Sequence, residues 1–120
     1  MRKEVQNWWK QAQHDVNTAE YLLDGKRYKE ASFFCQQAAE KGLKAVLIHK
    51  TGKLIKIHDL VKLAKMTGIE KSFLDDCEKL SSVYIDARYP DTGSEEYSRE
   101  ETSLDVGRAK RILQWATKNI

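Results

Sequence analysis

The chain contains a single proline, Pro90, and no unbroken apolar run longer than the four residues Ala45 to Ile48. A membrane-spanning helix needs about 20 such residues, so none is expected. The N-terminal stretch MRKEVQNWWK has no apolar run behind its basic residues, so no signal peptide is expected, and a cytoplasmic protein is the reading. No segment shows the period-two alternation of a half-buried strand, no repeat recurs, and no tract is of low complexity. A glycine-rich phosphate loop, a nucleophile elbow and an acidic cluster of metal-ligand type are all missing. Cysteines number two, Cys35 and Cys77, each within a helical pattern. Free buried thiols are the plain reading, and nothing requires a disulfide between them.

Charge of one sign is also lacking. Twenty-one basic and 18 acidic residues leave a net charge of +3, too even to argue for nucleic acid, which calls for a clear basic face. A weakly basic patch stays open. With 120 residues, 41% apolar and 32% charged, the chain suits one soluble domain over residues 1–120 with a core that needs no staples.

What the sequence does contain is helical periodicity. Val5, Trp9, Ala12, Val16, Ala19 and Leu23 recur at steps of three and four, widened by Trp8 and Leu22, and predict an amphipathic helix from about Lys3 to Asp24. Gly25 should end it as a left-handed cap. The stretch from Tyr28 to Lys50 has small residues at Ala31, Ser32, Cys35, Ala38, Ala39, Gly42 and Ala45, with larger apolar residues between. That apolar arc is too wide for a surface helix, so it predicts a central helix that neighbours approach closely. Glu40 and Lys44 form a favourable i, i+4 pair, and the polar residues of this helix are read as needing no chemistry. A third helix is expected from His58 or Asp59 to Met66. A fourth should run from about Glu70 to Arg88 and stop at Tyr89, because the residue before a proline disfavours helix. Residues 91–102 are a polar loop. The last helix has two candidate starts, a capping box at Ser98 with Glu101 and a weaker one at Thr102, and a buried face of Leu104, Ala109, Ile112, Leu113 and Ala116. The fold class is all-α, an antiparallel bundle of about five helices.

Candidate chemistry is sparse. No two of His14, His49, His58, Cys35 and Cys77 have the local spacing of a zinc motif. Asp75 and Asp76 point about 100° apart on a helix, as two residues of a solvated face do. No cofactor and no metal site are expected. The segment from Tyr84 to Asp91 is different. Tyr84 and Arg88 project from one face near a helix end, Asp86 lies between them, and Tyr89 and Asp91 follow at the turn. This set could hold a phosphate, a base or a partner's carboxylate. Equally, Arg88 could serve the last-turn carbonyls and pair with Asp86 or Asp91. The aromatics Trp8, Trp9, Phe33, Phe34 and Trp115 exceed what such a bundle must hide, which points to a homodimer through a helical face.

The pattern as a whole resembles the HEPN domain family of small bacterial and archaeal proteins. It is carried by Gln36-Gln37-Ala38-Ala39-Glu40-Lys41-Gly42-Leu43-Lys44-Ala45, by His58-Asp59-Leu60 and by Asp86-Ala87-Arg88-Tyr89-Pro90-Asp91, in order from about residue 5 to the end. The resemblance implies a helical bundle that dimerises and partners a small nucleotidyltransferase in toxin–antitoxin style pairs. It also implies nucleotide or RNA binding, with Lys44, His58, Arg88 and Tyr89 as candidate contacts. Some members of the family are metal-independent ribonucleases, with an arginine followed after four to six residues by a histidine. Arg88 stands where that arginine would be, but no histidine follows it. Metal-free RNA cleavage needs a group that moves a proton near neutral pH, so a binding role is favoured over catalysis. The alternatives are a nuclease in which His58 serves Arg88, and a purely structural dimer.

Overall fold

A computed structural model describes residues 2–88 and 97–120, with the side chains of residues 84–88 left out of the description. Five α-helices and one 3-10 turn make up its regular structure, and no strand occurs among the described residues. The helices are α1 (Lys3–Asp24), α2 (Tyr28–Thr51), α3 (Leu60–Thr67), α4 (Leu74–Arg88) and α5 (Arg99–Lys118), with the 3-10 turn at Lys71–Phe73.

Helix α2 is the axis. It touches each of the other four α-helices, and at 24 residues it spans about 36 Å, close to the 39 Å long dimension of the molecule. Its small residues account for this centrality. Ala31, Cys35, Ala38, Ala39 and Ala45 have no exposed surface. Gly42 faces α5 so closely that a Cβ there would stand 2.5 Å from Leu113 Cδ2. The main core fills the space between α2 and its neighbours with Ala12, Val16, Leu43, Leu47, Leu60, Leu63, Cys77, Leu80, Ile112 and Leu113. A smaller cluster of Val5, Ala45 and Ile48 packs with Trp8, Trp9 and Ile120 at the other end. The five aromatics that looked surplus are thus half-buried within one chain, with Phe34 and Trp115 against the main core. Among the described residues, the large apolar side chains left exposed are Tyr21, Leu54, Met66 and Leu104.

The caps explain most boundaries. Gly52 ends α2 in the left-handed region at φ 78°, its N–H donating to the Ile48 carbonyl at 2.8 Å. The Arg2 guanidinium donates to the same carbonyl, pinning the N-terminus to the end of α2. Asp59 caps α3 by accepting from the Lys62 N–H at 3.1 Å. Ser98 caps α5 by accepting from the Glu101 N–H at 3.0 Å, which decides between the two expected starts.

Three expectations are corrected. Gly25 has φ −84°, and Lys26 takes the left-handed position at φ 64°, so the α1–α2 turn places its positive φ one residue later. Leu104 is exposed. The helix that begins at Arg99 directs Thr102, Asp105 and Val106 inward instead. Asp76 is not on a solvated face: it is buried and accepts from Arg111 Nε at 3.1 Å and Nη2 at 2.9 Å. The sequence contains no local sign of this pairing, because Arg111 lies on another helix.

Candidate functional site

Gln36, Glu40 and Lys44 recur every four residues along α2, so they form a ladder on one side of a helix that is otherwise packed. All three are buried, Gln36 fully and the other two at 4% exposure. Ionised groups so deep need partners, and Glu40 has three. Its Oε2 accepts from Lys44 Nζ at 2.9 Å and lies 2.9 Å from His58 Nδ1, while its Oε1 accepts from Gln36 Nε2 at 3.3 Å. Gln37 Nε2 in turn donates to Gln36 Oε1 at 2.7 Å. The Lys44 ammonium also sits 5.6 Å from the centre of the Trp8 ring, a cation–π contact from α1.

His58 is where this ladder reaches the surface, its side chain 60% exposed above the buried carboxylate. The residue after it caps α3, so the histidine's backbone is set by the start of that helix. An ionised carboxylate only accepts, so Nδ1 is the donor to Glu40. Chemically, the arrangement presents an imidazole of fixed orientation backed by a neutralised carboxylate.

The other buried carboxylates tie helices together. Asp15 accepts from Lys41 Nζ at 2.6 Å and Gln11 Nε2 at 2.9 Å, joining α1 to α2. Asp105 accepts from Ser32 Oγ at 2.9 Å and from Arg108 at 2.7 Å, joining α5 to α2. Burial pushes the Asp105 carboxyl above its ordinary range, against the lowering effect of those two donors. Cys35 and Cys77 are free and buried, and burial pushes both thiols up to about 12. Among the described residues, no three side chains of His, Cys, Asp or Glu gather to hold a metal. No described helix is long and apolar enough to cross a membrane.

The sequence matches the HEPN domain over residues 5–120. The chain belongs to the HEPN family. The structure is similar to that of TT1696 from Thermus thermophilus, with a TM-score of 0.91 and 25% identity over 99% of this chain and 100% of that one. It is also similar to ST0689, an archaeal HEPN homologue, with a TM-score of 0.81 and 30% identity over 98% of both chains. No curated protein sequence matches this chain.

Of the residues singled out in this HEPN domain, Lys44 and His58 converge on one carboxylate oxygen although 14 residues separate them. The backbone of Tyr84, Asp86 and Arg88 completes α4, while their side chains, and all of Tyr89, Pro90 and Asp91, lie outside the described residues. Glu40 and Gln36 went unrecognised as site residues. Their four-residue spacing with Lys44 on a helix of otherwise small and apolar residues is the signal that could have found them.

Proposed function

We propose that this HEPN protein is a non-catalytic binding protein that takes the phosphate of a nucleotide at His58, with Arg88 and the Tyr89 that follows it in the sequence as further contacts. The observation that carries the reading is the Glu40–His58 contact at 2.9 Å, which holds an exposed imidazole on a buried, charge-balanced support. Lys44 is buried and engaged with Glu40, so its role is to hold the carboxylate that positions His58. Tyr84, Asp86 and Asp91 belong to the same proposal as neighbours of Arg88 along the chain. Isothermal titration with ATP and AMP tests it. Binding should be lost in both His58→Ala and Arg88→Ala, and binding unchanged in His58→Ala would overturn it.

A second reading draws on the same contact. A buried carboxylate 2.9 Å from one imidazole nitrogen orients the ring, which a metal-free ribonuclease in which His58 serves Arg88 would need. Cleavage of structured RNA in chelator, abolished by His58→Asn and by Arg88→Ala, would favour it over binding alone. Family membership extends the proposal to a homodimer and to a small nucleotidyltransferase partner. Sedimentation of the purified protein tests the first, and co-purification with a co-expressed nucleotidyltransferase tests the second.

A further inference from the structure

Helices α1 and α5 meet at two polar bridges. Trp9 Nε1 donates to Thr117 Oγ1 at 3.1 Å, and Lys110 Nζ donates to Glu20 Oε2 at 2.9 Å. The helices therefore pass in opposite directions, and the bridges stand at either end of a cleft of about 390 Å³. Val16 and Leu113, both buried, line it with apolar surface. Three carboxamides line it as well, Gln13 and Asn17 from α1 and Gln114 from α5. Gln13 is half-buried, and among the described residues none of the three amides forms a side-chain hydrogen bond. The charged groups of this lining, Glu20 and Lys110, neutralise one another. The Thr117 hydroxyl is also engaged, donating to the Leu113 carbonyl at 2.9 Å.

We propose that this cleft binds a small uncharged, polyhydroxylated molecule with the chemistry of a monosaccharide. The site is separate from the phosphate site at His58, because none of its lining residues belongs to the Gln36–Glu40–Lys44–His58 cluster. Each carboxamide offers an acceptor oxygen and two N–H donors, so it pairs with a hydroxyl in either sense. A purely apolar ligand would cover those groups without pairing them, which is costly. A pyranose ring has apolar C–H faces for Val16 and Leu113 and hydroxyl edges for the amides. A phosphate or carboxylate fits less well, since it finds Lys110 already held by Glu20. An extended peptide fits less well too. The seven residues from Lys110 to Thr117 advance about 10.5 Å along α5, the reach of about three extended residues, and both ends of the cleft are bridged. The volume falls in the range of about 300–1,000 Å³ usual for small-molecule sites.

The test follows the side-chain amide resonances of 15N-labelled protein during titration with glucose, galactose and mannose, and with inorganic phosphate in parallel. At least one of the sugars should shift the signals of Gln13, Asn17 and Gln114 saturably. Asn17→Ala with Gln114→Ala should weaken that binding about tenfold, as the loss of two hydrogen bonds predicts, with the fold intact because both side chains are exposed. A saturable response to none of the three sugars overturns the proposal. So does an affinity unchanged in the double variant, and so does an equal response of these amides to phosphate, which marks a site for anions. His58→Ala should leave the sugar response unchanged. If ATP binds through His58 while no sugar binds, this cleft fails and the nucleotide reading stands. If the sugar response holds while ATP does not bind, the cleft stands and the nucleotide reading fails.

Discussion

Lys44→Met removes one charge from a buried pair and nearly conserves volume. Glu40 and Lys44 are both 4% exposed, and the carboxylate would keep only the Gln36 amide and the His58 ring as donors. Stripping one partner from a buried ion pair costs about 3–5 kcal/mol, because the remaining charge is left in a dry site. For a domain whose total stability is of order 5–15 kcal/mol that is a large fraction, and in a chain of this size it lowers Tm by roughly 12–20 °C. The double variant Glu40→Leu with Lys44→Met behaves differently. It leaves no buried charge, so the main loss is the unpaired Gln36 amide, about 1–3 kcal/mol, offset in part by apolar packing. The double variant should therefore be more stable than Lys44→Met alone, while His58 loses its anchor and phosphate binding falls. Urea unfolding followed by circular dichroism reads the first effect and ATP titration the second. A loss below about 1 kcal/mol in the single variant would refute the claim that Lys44 holds Glu40 in a desolvated site. A double variant as unstable as the sum of the two singles would refute it independently, since groups in contact should not be additive.

Gly42→Ala gains about 1 kcal/mol of helix propensity but drives a Cβ to 2.5 Å from Leu113 Cδ2 in the core, an overpacking cost of about 1–3 kcal/mol. A net loss near 1 kcal/mol is expected in urea unfolding, relieved when Leu113→Ala is added, and a stabilised single variant would contradict the close α2–α5 contact. Asp105 has its folded pKa raised, so its contribution to stability is full below the unfolded value and is lost as pH rises through the folded one. The stability of wild type relative to Asp105→Asn should therefore increase as pH falls from neutral through that window, measured from urea midpoints. With both thiols pushed up to about 12 and buried, Cys35 and Cys77 should resist a disulfide reagent in the native protein at neutral pH and react once guanidinium is added.

The legibility of this protein divides by range. Helix α1 is bounded as its three-and-four spacing predicts, because amphipathic period and caps are local properties. The α5 start at Ser98 is local too, being a side chain satisfying an amide three residues on. Failures arise where a distant helix decides. Leu104 reads as core by its apolarity, but the space at that level of α5 is taken by Thr102 and Asp105 reaching Ser32. Asp76 reads as solvated until Arg111 is brought to it from α5. The two ends of the candidate site differ in the same way. Lys44 and His58 can be named from the chain, but only folding shows that they meet, and that Glu40 is what they meet on.

By itself, then, the sequence determined the class of fold, the number of helices, most of their ends and the family, because these follow from periodicity, capping chemistry and a run of characteristic residues. The tertiary structure decided which polar side chains are buried and what they face. Glu40 on the central helix reads in the chain as one ordinary member of an i, i+4 pair. It becomes the support of an exposed histidine only when α1 brings Trp8 alongside Lys44 and the 53–57 connection returns His58 to the same face.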